Sequence, residues 1–307
     1  MQYNISPETL LDEKHPTVTV DKILGEELNF ELYKDNAVCA NGAMFRKDKK
    51  GFLPELMEKM YGERVIFKKR MLKAKQEYEK TPTVALQKEI ARCNNIPMAK
   101  QISLNSAYGA IGNQYFRYFK LANAEAITLS GQVSIRWIEN KMNEYLNKLL
   151  STEKEDYVIA SDTDSIYLNL GPLVTKFLGS KSGDKAAVVG LLDKICQDKL
   201  EPYIDKSYEN LADYVSAYEQ KMQMKRENIA DRGIWTAKKR YILNVWNSEG
   251  VQYSEPKLKV MGIEAVKSST PAPCRQMLKD SFKIMMSGSE DNTVSYTHLR
   301  AHETLIY

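Results

Sequence analysis

Tyr157-Val158-Ile159-Ala160-Ser161-Asp162-Thr163-Asp164-Ser165-Ile166-Tyr167 runs an apolar segment into a short polar turn and out through a second alternating segment. That is the pattern of a β-hairpin with Asp162 and Asp164 at or beside its tip, and residues two apart on a strand share a face. Two neighbouring carboxylates repel unless a cation lies between them, and hard divalent cations such as Mg²⁺ take oxygen ligands of this kind. Asp162 and Asp164 are therefore candidate metal ligands. The alternative is ordinary turn chemistry, since Asp, Thr and Ser gather wherever a chain reverses.

Outward from the hairpin, long helices dominate the N-terminal side. The pattern predicts a helix over about residues 122–150, preceded by the aromatic run Tyr115-Phe116-Arg117-Tyr118-Phe119 after Gly112. Two further helices are expected at residues 54–80 and 84–111, separated by Thr81-Pro82-Thr83, with Pro97 marking a kink or restart in the second. Leu53, Leu56, Met57, Met60, Phe67 and Met71 keep helix spacing on the first, so the pair reads as a long antiparallel helical hairpin. Nearer the N-terminus, Ser6 and Pro7 read as the N-cap and first residue of a helix. Thr17-Val18-Thr19-Val20 and Ala43-Met44-Phe45 read as strands, and Lys47-Asp48-Lys49-Lys50-Gly51 as a turn. Beyond the acidic hairpin come a looser segment at residues 179–183, a helix at 186–200, and strands at 218–224 and 240–245. Strands and helices mix without βαβ alternation, so the expected fold class is α+β, an antiparallel sheet backed by helices with the helical hairpin inserted. There is no internal repeat.

Length and composition narrow the function classes. A chain of 307 residues holds one large or two ordinary domains with ample apolar content for a core. The net charge of +4 is unevenly placed. Residues 46–80 carry 12 Lys or Arg against 6 Asp or Glu, and residues 235–283 carry 9 against 4. Both segments suit a polyanionic partner, although Lys-rich helices are also made for solubility alone. Cys39, Cys93, Cys196 and Cys274 form no C-x-x-C pair, which argues against zinc or a disulfide framework and fits a reducing compartment. No apolar run approaches membrane-spanning length and no signal-peptide pattern opens the chain, so a soluble intracellular protein is expected. The abrupt start makes Met1 readable as an internal methionine. Residues 294–307 hold two of the three histidines and read as one frame of a common sequencing adapter. They are taken as a non-native tail whose His298 and His302 are not ligands.

Lys100-Gln101-Ile102-Ser103-Leu104-Asn105-Ser106-Ala107-Tyr108-Gly109 closes the second helix of the hairpin. Asn-Ser-x-Tyr-Gly in that position, Asp-Thr-Asp-Ser downstream in a hairpin and then Lys-Lys-Arg-Tyr resemble the family B DNA polymerases of tailed bacteriophages. Asn4-Ile5-Ser6-Pro7-Glu8-Thr9 and Lys267-Ser268-Ser269-Thr270-Pro271 extend the resemblance over residues 2 to about 285, with five motifs in register. It implies nucleotidyl transfer in DNA replication, an in-line phosphoryl transfer with two Mg²⁺ ions held by carboxylates. It makes Asp164 the metal-binding aspartate, Asp162 its neighbour in a supporting or second-ligand role, and Glu227 a further acid near the metals. A solvated glutamate at a strand end is an equal reading of Glu227. Arg64 and Lys68 share a helix face and stand where the family's fingers bind the triphosphate. Lys100 is the nearest lysine to a further phosphate contact, and Asn105 and Tyr108 face the nascent base pair. Lys238, Lys239, Arg240 and Tyr241, extended by Lys257, Lys259 and Lys267, would hold the primer–template backbone without reading sequence.

The implied layout is partial palm at 1–50, fingers hairpin at 51–113, palm with the metal-binding hairpin at 114–267, the start of a thumb at 268–293, and the adapter-derived tail. Implied partners are primer–template DNA, deoxynucleoside triphosphates and, for a full-length parent, a sliding clamp and replisome proteins. There would be no membrane, and the place of action would be the cytoplasm of an infected bacterial host cell. Three departures stand out. Gln101 occupies the place where the family has a lysine, with Lys100 displaced by one residue, about 100° around a helix. Ala160-Ser161 replaces the usual Tyr-Gly before Asp162, and the turn is expected to survive it. The motif carrying the family's second metal-binding aspartate would end just before Gln2, with the exonuclease domain earlier still, so the chain alone is expected to be inactive. Two rivals are another palm polymerase such as a reverse transcriptase, and a non-catalytic basic nucleic-acid-binding module.

Overall fold

The computed structural model describes residues 1–179 and 184–288. The expected adapter-derived tail, most of the 179–183 segment and residues 289–293 lie outside the described residues. The chain divides into two units, Met1–Lys225 and Arg226–Tyr307. All described strand pairs are antiparallel, in keeping with an α+β fold, but the strands form three separate sheets where a single one was expected.

In the first unit, β1 (Leu10–Lys14), β2 (Asn36–Val38) and β3 (Ala43–Arg46) form a sheet in the order β1-β3-β2. Ala37 pairs with Phe45 and Val38 with Met44, and this centre is buried almost completely. Helix α1 (Val20–Leu24) replaces the strand expected at residues 17–20. The Thr19 hydroxyl accepts the Lys22 N–H as an N-cap, and a capping threonine outweighs the local β-propensity of a Thr-Val run.

The helix expected to begin at Ser6-Pro7 is also absent. Thr9 Oγ1 donates instead to the carbonyls of Asn4 and Ser6, closing a turn that leads into β1. The polar side chains here serve another helix, α2 (Phe52–Lys80). Asn4 Oδ1 accepts the Gly51 N–H at 2.8 Å, Glu8 Oε1 the Phe52 N–H at 2.7 Å, and Ser6 Oγ the Leu53 N–H at 3.5 Å. Donors at a helix N-terminus have no intrahelical partner, and here a segment more than forty residues earlier supplies the acceptors. The approach is close enough that a Cβ at Gly51 would meet Ser6 Cβ at 2.5 Å.

Helix α3 (Val84–Ile111) follows Thr81-Pro82-Thr83, with the Thr83 hydroxyl accepting the Leu86 N–H, and runs through Pro97 without a restart. The two helices form the expected hairpin. Helix α4 (Leu121–Leu150) is the core helix, burying Ala126, Ser130, Val133, Trp137, Ile138, Met142 and Leu146 along one stripe. Ser130 Oγ accepts the Ala40 N–H beside the first sheet. Trp137 Nε1 donates to the Ser207 carbonyl, which ties α4 to α7.

The second sheet is the hairpin of β4 (Val158–Asp162) and β5 (Ser165–Leu168). Then come α5 (Gly171–Leu178), α6 (Lys185–Ile195) and α7 (Glu201–Tyr214), the last two joined by a π-helical turn at Cys196–Leu200. The strand expected at residues 218–224 is not formed. The N–H groups of Tyr218 and Glu219 bond the Gln2 carbonyl, and those of Lys221 and Met222 bond Gln2 Oε1, so no ladder is needed to satisfy them.

The second unit is a three-stranded sheet of β6 (Asn228–Ala237), β7 (Arg240–Ser248) and β8 (Val251–Met261), with α8 (Ala272–Ser287) against it. Ile242, Ile263 and Met286 make its core.

Candidate functional site

The acidic turn is set by backbone strain and a polar anchor. Thr163 has φ +55°, a left-handed conformation that a β-branched residue rarely adopts, and the Asp164 N–H reaches the Asp162 carbonyl at 2.6 Å. This three-residue turn is the strained γ-type, and holding such backbone costs on the order of 1–3 kcal/mol. The surrounding structure supplies it. Asn143 Oδ1 on α4 accepts the N–H groups of both Tyr157 and Val158. One turn later, Asn147 bonds both the carbonyl and the N–H of Glu155. The hairpin's base is thus pinned to the core helix while its tip projects.

At the tip Asp162 is half-buried and Asp164 exposed. Thr163 Oγ1 donates to Asp162 Oδ1 at 3.0 Å, and Ser165 Oγ donates to the Asp162 carbonyl. Ala160-Ser161 is accommodated, since Ser161 lies on the ladder opposite Ile166 and its hydroxyl sits 3.4 Å from Glu139 on α4. Behind the tip is a residue that the sequence did not flag, Tyr208 on α7. Its phenol is pushed up to about 12 by burial and then by the Asp164 carboxylate. A tyrosine at a core position of a helix carries no sequence signal of such a neighbour.

The two carboxylates are an all-oxygen donor set on one turn. That suits Mg²⁺, which is held by one or two carboxylates and completes its shell with water and substrate phosphates. Among the described residues no cluster of three or more His, Cys, Asp or Glu could hold a metal ion. Glu227 belongs to the second unit, where its carboxylate lies 3.8 Å from Lys259 Nζ.

On the helical hairpin, Arg64 and Lys68 occupy one face of α2. Arg64 Nη2 donates to Gln101 Oε1 at 3.2 Å, and Lys100 forms an ion pair with Glu63 that holds the Glu63 carboxyl below its usual range. Asn105 and Tyr108 are exposed together on α3. In the second unit, Lys238 and Lys239 form the turn between β6 and β7, with Lys239 at φ +61°. Gly262 at φ +66° packs beneath that turn, where a Cβ would meet the Lys239 carbonyl at 2.2 Å. Arg240 and Lys267 converge on Glu264, at 2.6 and 3.0 Å. Lys257 stands 3.9 Å over the Tyr253 ring. Tyr241 is buried, its ring 6.3 Å from that of Trp235.

Comparison with known proteins bears on this arrangement directly. Residues 1–185 match the model described as DNA polymerase family B, a span that takes in the acidic turn, the α2–α3 hairpin and α4. The chain belongs to DNA polymerase family B. It is 34% identical to the DNA-directed DNA polymerase of Escherichia phage RB69 over 94% of this chain and 37% of that protein. With the DNA-directed DNA polymerase of Enterobacteria phage T4 it shares 31% over 96% of this chain and 38% of that protein. A more distant relative is the DNA polymerase beta of African swine fever virus (isolate Tick/Malawi/Lil 20-1/1983), 22% identical over 87% of the chain and 22% of that protein. This member of family B therefore spans well under half the length of its phage relatives. No described helix is long and apolar enough to cross a membrane.

Proposed function

We propose that this chain is the palm and fingers portion of a template-directed DNA polymerase, which adds deoxynucleotides to a primer 3′ end by two-metal phosphoryl transfer. The observation that carries it is the strained turn holding Asp162 and Asp164 on a hairpin pinned to α4, within a chain of family B. In this reading residues 1–50 and 114–267 are palm, 51–113 fingers, and 268–293 the start of a thumb. Asp164 is the principal metal ligand, with Asp162 in support and Glu227 a further acid. What bound Mg²⁺ supplies is activation of the primer 3′-hydroxyl and stabilisation of charge on the leaving pyrophosphate.

The protein's own part is positioning. Arg64 and Lys68 grip the triphosphate, the guanidinium offering a fork that matches phosphate oxygens and the ammonium a point charge. Lys100, the nearest lysine to a further phosphate contact by the resemblance, is paired with Glu63 across the same hairpin. Asn105 and Tyr108, exposed side by side, face the nascent base pair. Lys238, Lys239, Arg240 and Lys267, with Lys257 and Lys259, form the track for primer–template DNA, which Tyr241, buried beside Trp235, backs without contacting the DNA. A sliding clamp and other replisome proteins would be partners of a longer polymerase acting in the cytoplasm of an infected bacterium. The 307-residue chain alone is expected to give no primer extension.

The test is a chimera in which this chain replaces the matching region of the RB69 relative. The chimera should extend a primer, and Asp164→Asn should lower the rate at least about a hundredfold, as loss of a preorganised electrostatic group does. Extension that is indifferent to Asp164→Asn would overturn the proposal and favour a binding module. Extension by the chain alone would overturn its predicted inactivity.

A further inference from the structure

Across the α2–α3 hairpin, two consecutive residues of one helix meet two consecutive residues of the other: Glu63 with Lys100, and Arg64 with Gln101. The ammonium of Lys100 is held against a carboxylate, with its side chain only 24% exposed. The Arg64 guanidinium is held differently. One Nη donates to a neutral amide oxygen, so its charge is not neutralised, and its Nε is buried with no hydrogen-bond partner. An unsatisfied buried donor is costly. The two Nη groups, with only one N–H engaged by Gln101, still present a pair of donors that a phosphate oxyanion can take in bidentate fashion.

We infer that Gln101 is a positioning residue, which fixes the Arg64 guanidinium for the triphosphate, and that Lys100 is withheld from the ligand by Glu63. This rests on the reading of the hairpin as the triphosphate-binding fingers. It assigns the phosphate grip to Arg64 and gives Lys100 the task of joining the two helices. Gln101 is chemically suited to its task because an amide oxygen accepts a hydrogen bond without cancelling the arginine's charge, as a carboxylate there would.

The probe is inorganic tripolyphosphate titrated into the whole 307-residue chain. The readouts are its dissociation constant by calorimetry and the Arg64 Nε–H resonance by NMR, with circular dichroism checking that each variant stays helical. Wild type should bind and shift that resonance, and Arg64→Ala should abolish both. Gln101→Ala should weaken binding about three- to tenfold, the weight of one hydrogen bond, and broaden the resonance. Gln101→Glu should weaken it further by neutralising the guanidinium. Lys100→Gln should leave affinity within twofold while lowering the thermal midpoint. If Gln101→Ala is neutral, or if Lys100→Gln costs as much as Arg64→Ala, the inference falls and the triphosphate reading stands. If wild type does not bind, or if Arg64→Ala binds as well as wild type, both fall.

Discussion

Helices α2 and α4 are almost the same length, 29 and 30 residues, and they have opposite circumstances. Helix α4 buries ten residues along its stripe, including Trp137, Ile138 and Met142. Helix α2 buries Leu53 and Pro54 at its foot and Met71 and Ala74 farther along, and its partner α3 buries only Cys93, Pro97 and Ile111. Burial of apolar surface is the main favourable contribution to folding, so the core helix is fixed and the hairpin is held by its base and by polar rungs. The carboxylates are mounted on the fixed part and the cations on the lightly packed one. In the proposed reading, a site that opens and closes around a ligand would draw one wall from the low-stability end of the molecule.

The widest gap should appear on truncation. Ile138→Ala in α4 should cost about 2–5 kcal/mol, whereas Leu56→Ala, 48% exposed in α2, should stay within about 0.5 kcal/mol. Urea unfolding measures both, and equal costs would break the contrast. Next is the polar link between core and turn. Asn143→Ala leaves the Tyr157 N–H without its acceptor and the Val158 N–H with Asp156 Oδ1 alone, and should cost roughly 1–3 kcal/mol, with a rise in proteolysis at residues 157–168 as the local readout. Hydrogen exchange should then rank the helices, mid-helix amides of α2 and α3 exchanging at least about tenfold faster than those of α4.

The smallest effect concerns the foot of the hairpin, where Glu58 meets both Lys50 and Lys221. Hydrogen bonds from Lys221 and then Lys50 hold the Glu58 carboxyl at about 2. Because the folded value lies below the unfolded one, the stability it contributes is present above the ordinary carboxylate range and is lost as pH falls toward about 2. Wild type and Glu58→Gln should therefore differ modestly at pH 7, since the pair is partly exposed and screened by solvent, and converge near pH 2. A difference that grows on acidification would contradict the assignment.

Helices α2, α3 and α4 and the acidic hairpin were legible in the sequence because each is long and periodic or bounded by strong breakers, Thr81-Pro82-Thr83 being the plainest. The reading failed where side chains serve distant backbone. Ser6 has the residue type of an N-cap and does cap a helix, but one that begins at Phe52. Residues 218–224 have the residue types of a strand and form none, with Gln2 taking the N–H groups of Tyr218, Glu219, Lys221 and Met222 in place of a neighbouring strand. Strands β6 and β8 and helices α7 and α8 went unread, since β6 and β8 are half-exposed, charged segments without clean alternation. At the site, motifs gave residue types and their spacing. They could not give the pairing of Lys100 with Glu63 or the burial of Tyr241, which follow from which neighbour each side chain meets.

Gly51 and Ser6 sit so close that neither position is free to drift alone. A methyl group at 51 would collide with Ser6 Cβ, so in related sequences a side chain at 51 should appear only with glycine at 6, or with a shifted entry of the chain into α2. Positions 6 and 51 should therefore be inherited as a pair.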